Sequence, residues 1–267
     1  MNAKHPPHSR GAVPPALDDH VRIVPLWVPA ALVAPAPGIA APAATQLTYR
    51  GGPVLTAVEV FTVFWGQGWS AAAQESLVTA LNEFFGFIVA SPYLDQLAEY
   101  DPPGSHIGRG RFVGTASLPA PALGTSVTDT ATRQMLEQQL AGKSSLPPAG
   151  PNTVYFVFLP PGVSVAAGGD RSCQAFCGYH DHIDTKIFYA VVPYPNCAGC
   201  LGGVGPPDAL TSICSHELAE AVTDPVPPQG WYDDGQGEIG DVCAWQNKKL
   251  GRYVVQLLWS NRRQACV

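Results

Sequence analysis

Three stretches of the chain, 58–65, 153–159 and 186–192, are apolar at most positions and rich in Val, Phe and Tyr. Runs of that length and make-up predict strands buried on both faces. Between the first two, residues 70–90 place Leu77, Leu81, Phe84, Phe85 and Ile88 on one side of a helix, and 128–140 reads as a second amphipathic helix. Further strands are expected at 110–114 and 253–260. Strands alternating with helices imply an α/β sheet with helices packed on it. The stretch 173–182, which holds His180 and His182, reads as a loop before the strand at 186–192.

The most informative helix runs from Asp208 to Asp224. Leu210, Ile213, Cys214, Leu218 and Ala221 recur at helical spacing and form one buried stripe. Pro206 and Pro207 precede it, Asp208 suits the N-cap, and Pro225 stops it. His216 and Glu220 fall one turn apart on another side, with Glu217 next to them. The arrangement parallels the metalloprotease helix His-Glu-x-x-His, whose middle Glu is a general base, with Glu220 in place of the second His. The bland alternative is a solvated helix face carrying a histidine. Glu238 and Asp241 downstream argue against it by adding a second acidic pair.

A catalytic zinc takes three protein ligands and keeps one position for water. His216 and Glu220 supply two, and Glu238, Asp241 or His180 the third. One His with two carboxylates is a hard donor set, so manganese or calcium are alternatives to zinc. Glu217 is then the base acting on a metal-bound water. Tyr232, Tyr179 and His182 are unranked candidates for steadying an oxyanion. Taken singly, Glu238 and Asp241 also fit an ordinary polar turn, and His180 a loop histidine bonded to backbone.

Composition narrows the classes. Charged residues make up 13% and the net charge is −6, without a basic stripe, which argues against nucleic acid. No run of about 18 apolar residues predicts a membrane span. No Gly-x-Ser-x-Gly supports a serine hydrolase. With 27 Gly and 27 Pro the protein is loop-rich. Seven cysteines, at 173, 177, 197, 200, 214, 243 and 266, suggest disulfides and an oxidising compartment, with an odd thiol left over. A rival reading gathers Cys173, Cys177, Cys197 and Cys200 around a structural zinc. Residues 1–44, dense in Ala and Pro, read as a disordered leader with a weak signal-peptide or pro-segment character, and 45–267 as one domain.

Several separated motifs bear a family likeness. Tyr49-x-Gly51-Gly52-Pro53-Val54 precedes Val60-Phe61-x-Val63-Phe64-Trp65-Gly66, and Cys177-Gly178-x-His180, Tyr189-Ala190-x-Val192 and Ala221-Val222-Thr223-Asp224-Pro225 follow. Over about 45–245 the chain resembles the phosphate-induced, EXORDIUM-like proteins, in the bacterial-type form that joins a zincin-like His-Glu-x-x-Glu helix to Glu-Ile-Gly-Asp-x-Cys. The resemblance implies a zincin-like mixed sheet packed against a metal-binding helix, with disulfide-stapled loops. It also implies a secreted metallopeptidase acting on a peptide or protein. The alternative it carries is a non-catalytic extracellular or wall-associated binding protein.

Overall fold

The computed structural model describes residues 22–28, 45–119, 122–142 and 145–267. After β1 (Arg22–Pro25) and β2 (Thr48–Tyr49), the first apolar run forms β3 (Glu59–Trp65). Helix α1 (Ala72–Ile88) buries Leu81, Phe84, Phe85 and Ile88, and α2 (Pro92–Asp95) is capped by Ser91, whose hydroxyl accepts the Tyr93 N–H. Next come β4 (Arg111–Leu118), β5 (Ser126–Thr128) and α3 (Asp129–Ala141), capped by the Thr128 hydroxyl. The second run forms β6 (Thr153–Leu159), followed by β7 (Ser164–Ala167) and β8 (Asp170–Arg171). The hairpin β9 (Phe176–Ile183) and β10 (Ile187–Pro193) turns on Asp184 and Thr185, both with positive φ. After α4 (Ala198–Leu201) and α5 (Pro206–Thr223), the chain ends in β11 (Trp231–Tyr232), β12 (Asn247–Leu250), β13 (Tyr253–Gln256), β14 (Trp259–Ser260) and β15 (Ala265–Cys266).

The main sheet has six strands in the order β1-β9-β10-β6-β3-β4. β10, β6, β3 and β4 are parallel, whereas β9 is antiparallel to β10 and β1 antiparallel to β9. Period-two alternation divides the apolar runs between two layers. Val154, Phe156 and Phe158 face a core shared with α1 and α5, and Tyr155, Val157 and Leu159 face one shared with α3 and β7. The protein is therefore mixed α/β with a buried central sheet, as the apolar runs predict. No single helix among the described residues is long and apolar enough to cross a membrane.

Four expectations need correction. The expected loop at 173–182 is largely β9, because pairing with both β10 and β1 satisfies its backbone. Inside the expected leader, Arg22–Pro25 is an edge strand with Val24 buried, while the rest of 1–44 lies outside the described residues apart from 26–28. Helix α5 is not striped: every residue from Ala209 to Thr223 is buried, so its polar side chains face the interior. Its N-cap is Gly205, and Asp208 sits in the first turn, because Pro206 and Pro207 take the positions that need no N–H donor.

The cysteines pair as Cys173–Cys197, Cys177–Cys200 and Cys243–Cys266, leaving Cys214 buried and free. This replaces the four-cysteine zinc reading. The first two bridges fasten the entry to β9 onto the segment around α4.

Candidate metal centre

Helix α5 packs against β9, β10 and β13, and its polar side chains meet groups from each direction. From β9 comes His180. Its Nδ1 lies 3.2 Å from Glu217 Oε2 and 3.5 Å from Glu220 Oε2, and its Nε2 lies 3.1 Å from the Asp224 carbonyl. The approach is close because residue 178 is glycine. A Cβ there would stand 2.9 Å from Ile213 Cγ2 and 3.1 Å from Glu217 Oε1.

The segment after β11 closes the other side. Asp241 N–H donates to Glu220 Oε1 at 3.1 Å, and Glu238 N–H donates to Asp241 Oδ2 at 3.0 Å. Glu238 Oε1 lies 3.5 Å from His180 Nε2. His216 Nε2 is 3.0 Å from Glu220 Oε1 and 3.8 Å from Asp241 Oδ1. Donor atoms of His180, Glu220 and Glu238 fall within 4.8 Å of one another, as do those of His216, Glu220 and Asp241. Every ligand candidate named from the sequence thus converges on Glu220, and Glu217 joins them.

Strand β13 supplies a residue that sequence reasoning missed. Gln256 Oε1 accepts the Trp245 N–H at 3.0 Å, and its amide nitrogen lies 2.9 Å from both the Gly240 carbonyl and His216 Nδ1. A lone amide inside Tyr253-Val254-Val255-Gln256-Leu257-Leu258 was the available signal. The Asp224 carbonyl was also missed, because a backbone acceptor leaves no trace in side-chain identity.

The oxyanion candidates go elsewhere. Tyr179 donates its hydroxyl to Asp129 Oδ1 at 2.8 Å on the opposite face of the sheet. His182 Nδ1 accepts the Thr185 N–H in the hairpin turn. Tyr232 lies under the Arg50 guanidinium, 4.5 Å from its ring centre. Tyr179 misses the helix acids because alternation along β9 sends residues 178 and 180 to α5 and residue 179 away from it, and His182, on the same face as His180, is held at the hairpin end by Thr185.

Charge is the dominant feature. Glu217, Glu220, Asp224 and Glu238 are 0% exposed and His180 is 1% exposed, while the Asp241 side chain is 20% exposed at the rim. Glu217 Oε1, Glu220 Oε2 and His216 Nε2 are buried without a hydrogen bond. Burial disfavours the imidazolium of His180, but the Glu217 hydrogen bond and the neighbouring acids outweigh it and push the group up to about 9. Against the same burial, Glu220 pushes His216 up to about 10. Burial and then Glu220 push Asp241 up to about 7, and burial raises Glu217. Such an excess of enclosed carboxylate is costly unless protons or a cation offset it. Each group of three offers one imidazole nitrogen and two carboxylate oxygens, a donor set that could hold a divalent cation.

The chain is 24% identical to Protein EXORDIUM-like 5 of Arabidopsis thaliana over 286 residues, which cover 83% of this chain and 77% of that protein. The similarity supports the EXORDIUM-like resemblance. No family model matches the chain, and no solved structure matches it.

Proposed function

We propose that the protein is an EXORDIUM-like protein of extracellular type whose buried His/carboxylate centre holds a divalent cation in a structural, non-catalytic role. One observation carries this reading. Polar atoms of Glu217, Glu220 and His216 lack hydrogen-bond partners while these three side chains are 0% exposed, with Glu217 packed against His180 and Gly178. A scissile carbonyl has no route to Glu217. A cleft of about 800 Å³ bordered by Glu99, Lys248 and Arg262 touches the covering segment at Ile239 but includes none of the centre's charged residues. Bound at the centre, a cation would offset the carboxylates and join α5, β9 and the 238–241 segment. The three disulfides are compatible with secretion.

The experiment is elemental analysis of purified protein with and without chelator, alongside melting and a general peptide-cleavage assay. We expect about one equivalent or more of metal, a lower melting temperature after chelation, and no cleavage. Protein that purifies without metal and takes none up on dialysis against zinc, manganese or calcium would refute the reading.

The second reading, a zincin-like metallopeptidase with zinc and Glu217 as base, is favoured by the His216-Glu217-x-x-Glu220 helix lying under a mixed sheet. Bound metal would supply Lewis acidity toward a carbonyl. Glu217 would take the proton of the attacking water, and the covering segment would have to open first. Cleavage that survives purification and vanishes in Glu217→Gln, with metal retained, would establish this reading over the first.

A further inference from the structure

We infer that the nitrogen donor to the cation is His180 Nδ1, together with Glu220 Oε2 and a carboxylate oxygen of Glu238, and that His216 positions Glu220 without binding metal. This rests on the proposal that the centre holds a divalent cation.

Fixed partners set the proton on each ring. A backbone carbonyl can only accept, so His180 Nε2, 3.1 Å from the Asp224 carbonyl, carries a hydrogen. The lone pair of a neutral ring is then on Nδ1, facing Glu217 Oε2 at 3.2 Å and Glu220 Oε2 at 3.5 Å. A proton or a cation must lie between that lone pair and the facing carboxylate oxygens. Metal-bound histidines commonly donate the other ring N–H to a backbone carbonyl, as His180 does. The 3.5 Å between Nδ1 and Glu220 Oε2 suits two ligands of one ion, since donors about 2.0–2.2 Å from a tetrahedral metal lie roughly 3.3–3.6 Å apart.

His216 is held in the opposite sense. Gln256 is oriented by two backbone groups: its oxygen accepts the Trp245 N–H, so its amide donates to the Gly240 carbonyl. The remaining amide hydrogen points to His216 Nδ1 at 2.9 Å, which makes that nitrogen the acceptor. In a neutral ring the proton is then on Nε2, beside Glu220 Oε1 at 3.0 Å. A cation on Nε2 would require either an imidazolate or a turned Gln256 that loses both backbone partners. The Asp241 N–H holds Glu220 Oε1 as well, leaving Oε2, which has no hydrogen bond, to the cation. Glu238, within reach of His180 and Glu220, is the remaining donor.

The test needs no substitution. The full chain is labelled with ¹⁵N-histidine, stripped with chelator and loaded with ¹¹³Cd, and histidine ring correlations are recorded. Cadmium coupling to one imidazole through Nδ1, with a proton on that ring's Nε2, is expected. Coupling through Nε2, or to two rings, would overturn the assignment while leaving the centre itself in place. Absence of bound cadmium, zinc and manganese would overturn the centre as well. A paired experiment reads metal content after desalting. His180→Asn should retain under a tenth of the wild-type metal, and His216→Asn most of it. The reverse ranking also overturns the assignment, and if either variant fails to fold the wild-type spectrum decides.

Discussion

Gly240→Ala isolates the close packing over the centre. Gly240 has φ −83° and ψ −39°, which alanine adopts without strain. The backbone effect alone should therefore stabilise by about 0.4–1 kcal/mol, through a less mobile unfolded chain. Packing opposes it. The added Cβ would stand 2.8 Å from Glu220 Oε1 and 2.8 Å from His216 Nδ1, both on fully buried side chains. Overpacking of this kind costs about 1–3 kcal/mol, so the net loss should be about 1–2 kcal/mol. For a protein near this size that lowers the melting temperature by roughly 2–8 °C. Gly86→Ala is the control: it lies in α1, where an added Cβ meets nothing within 4 Å, and should gain about 1 kcal/mol. Both variants are compared with wild type by scanning calorimetry in chelator. Gly240→Ala as stable as Gly86→Ala would refute the packing of the covering segment against His216 and Glu220.

Chelated protein should lose stability as pH rises from about 6.5 to 9. His180 holds its proton in the folded state up to about 9 against 6.5 unfolded, so its contribution is full below 6.5 and fades above. Asp241, raised to about 7, acts in the same direction from lower pH. Melting curves across pH would show this, and a flat profile counts against a buried His180 imidazolium. Replacing Cys243 and Cys266 together by Ser should cost about 3 kcal/mol for a closed loop of 23 residues, read by denaturant unfolding under oxidising conditions. Val24→Asp should cost at least about 3 kcal/mol by burying a carboxylate in the sheet core, and an unchanged melting temperature would remove β1 from the cooperative fold.

The sequence alone determined the parts whose burial is local. Near-continuous apolar runs marked β3, β6 and β10, and proline punctuation with helical spacing marked α5. An odd cysteine count required an unpaired thiol within the chain or a link outside it, and that thiol is Cys214. Tertiary structure decided the rest. β9 reads as a loop until strands on both sides pair with it, and β1 is hidden in a biased segment because four residues carry no period. His180 meets Glu217 across 37 positions, and Gln256 meets His216 across 40. Periodicity reports which face of an element is buried, but not which distant side chain shares that face. Strand order fixes the neighbour, and through it the hydrogen-bond partners that set each imidazole's proton.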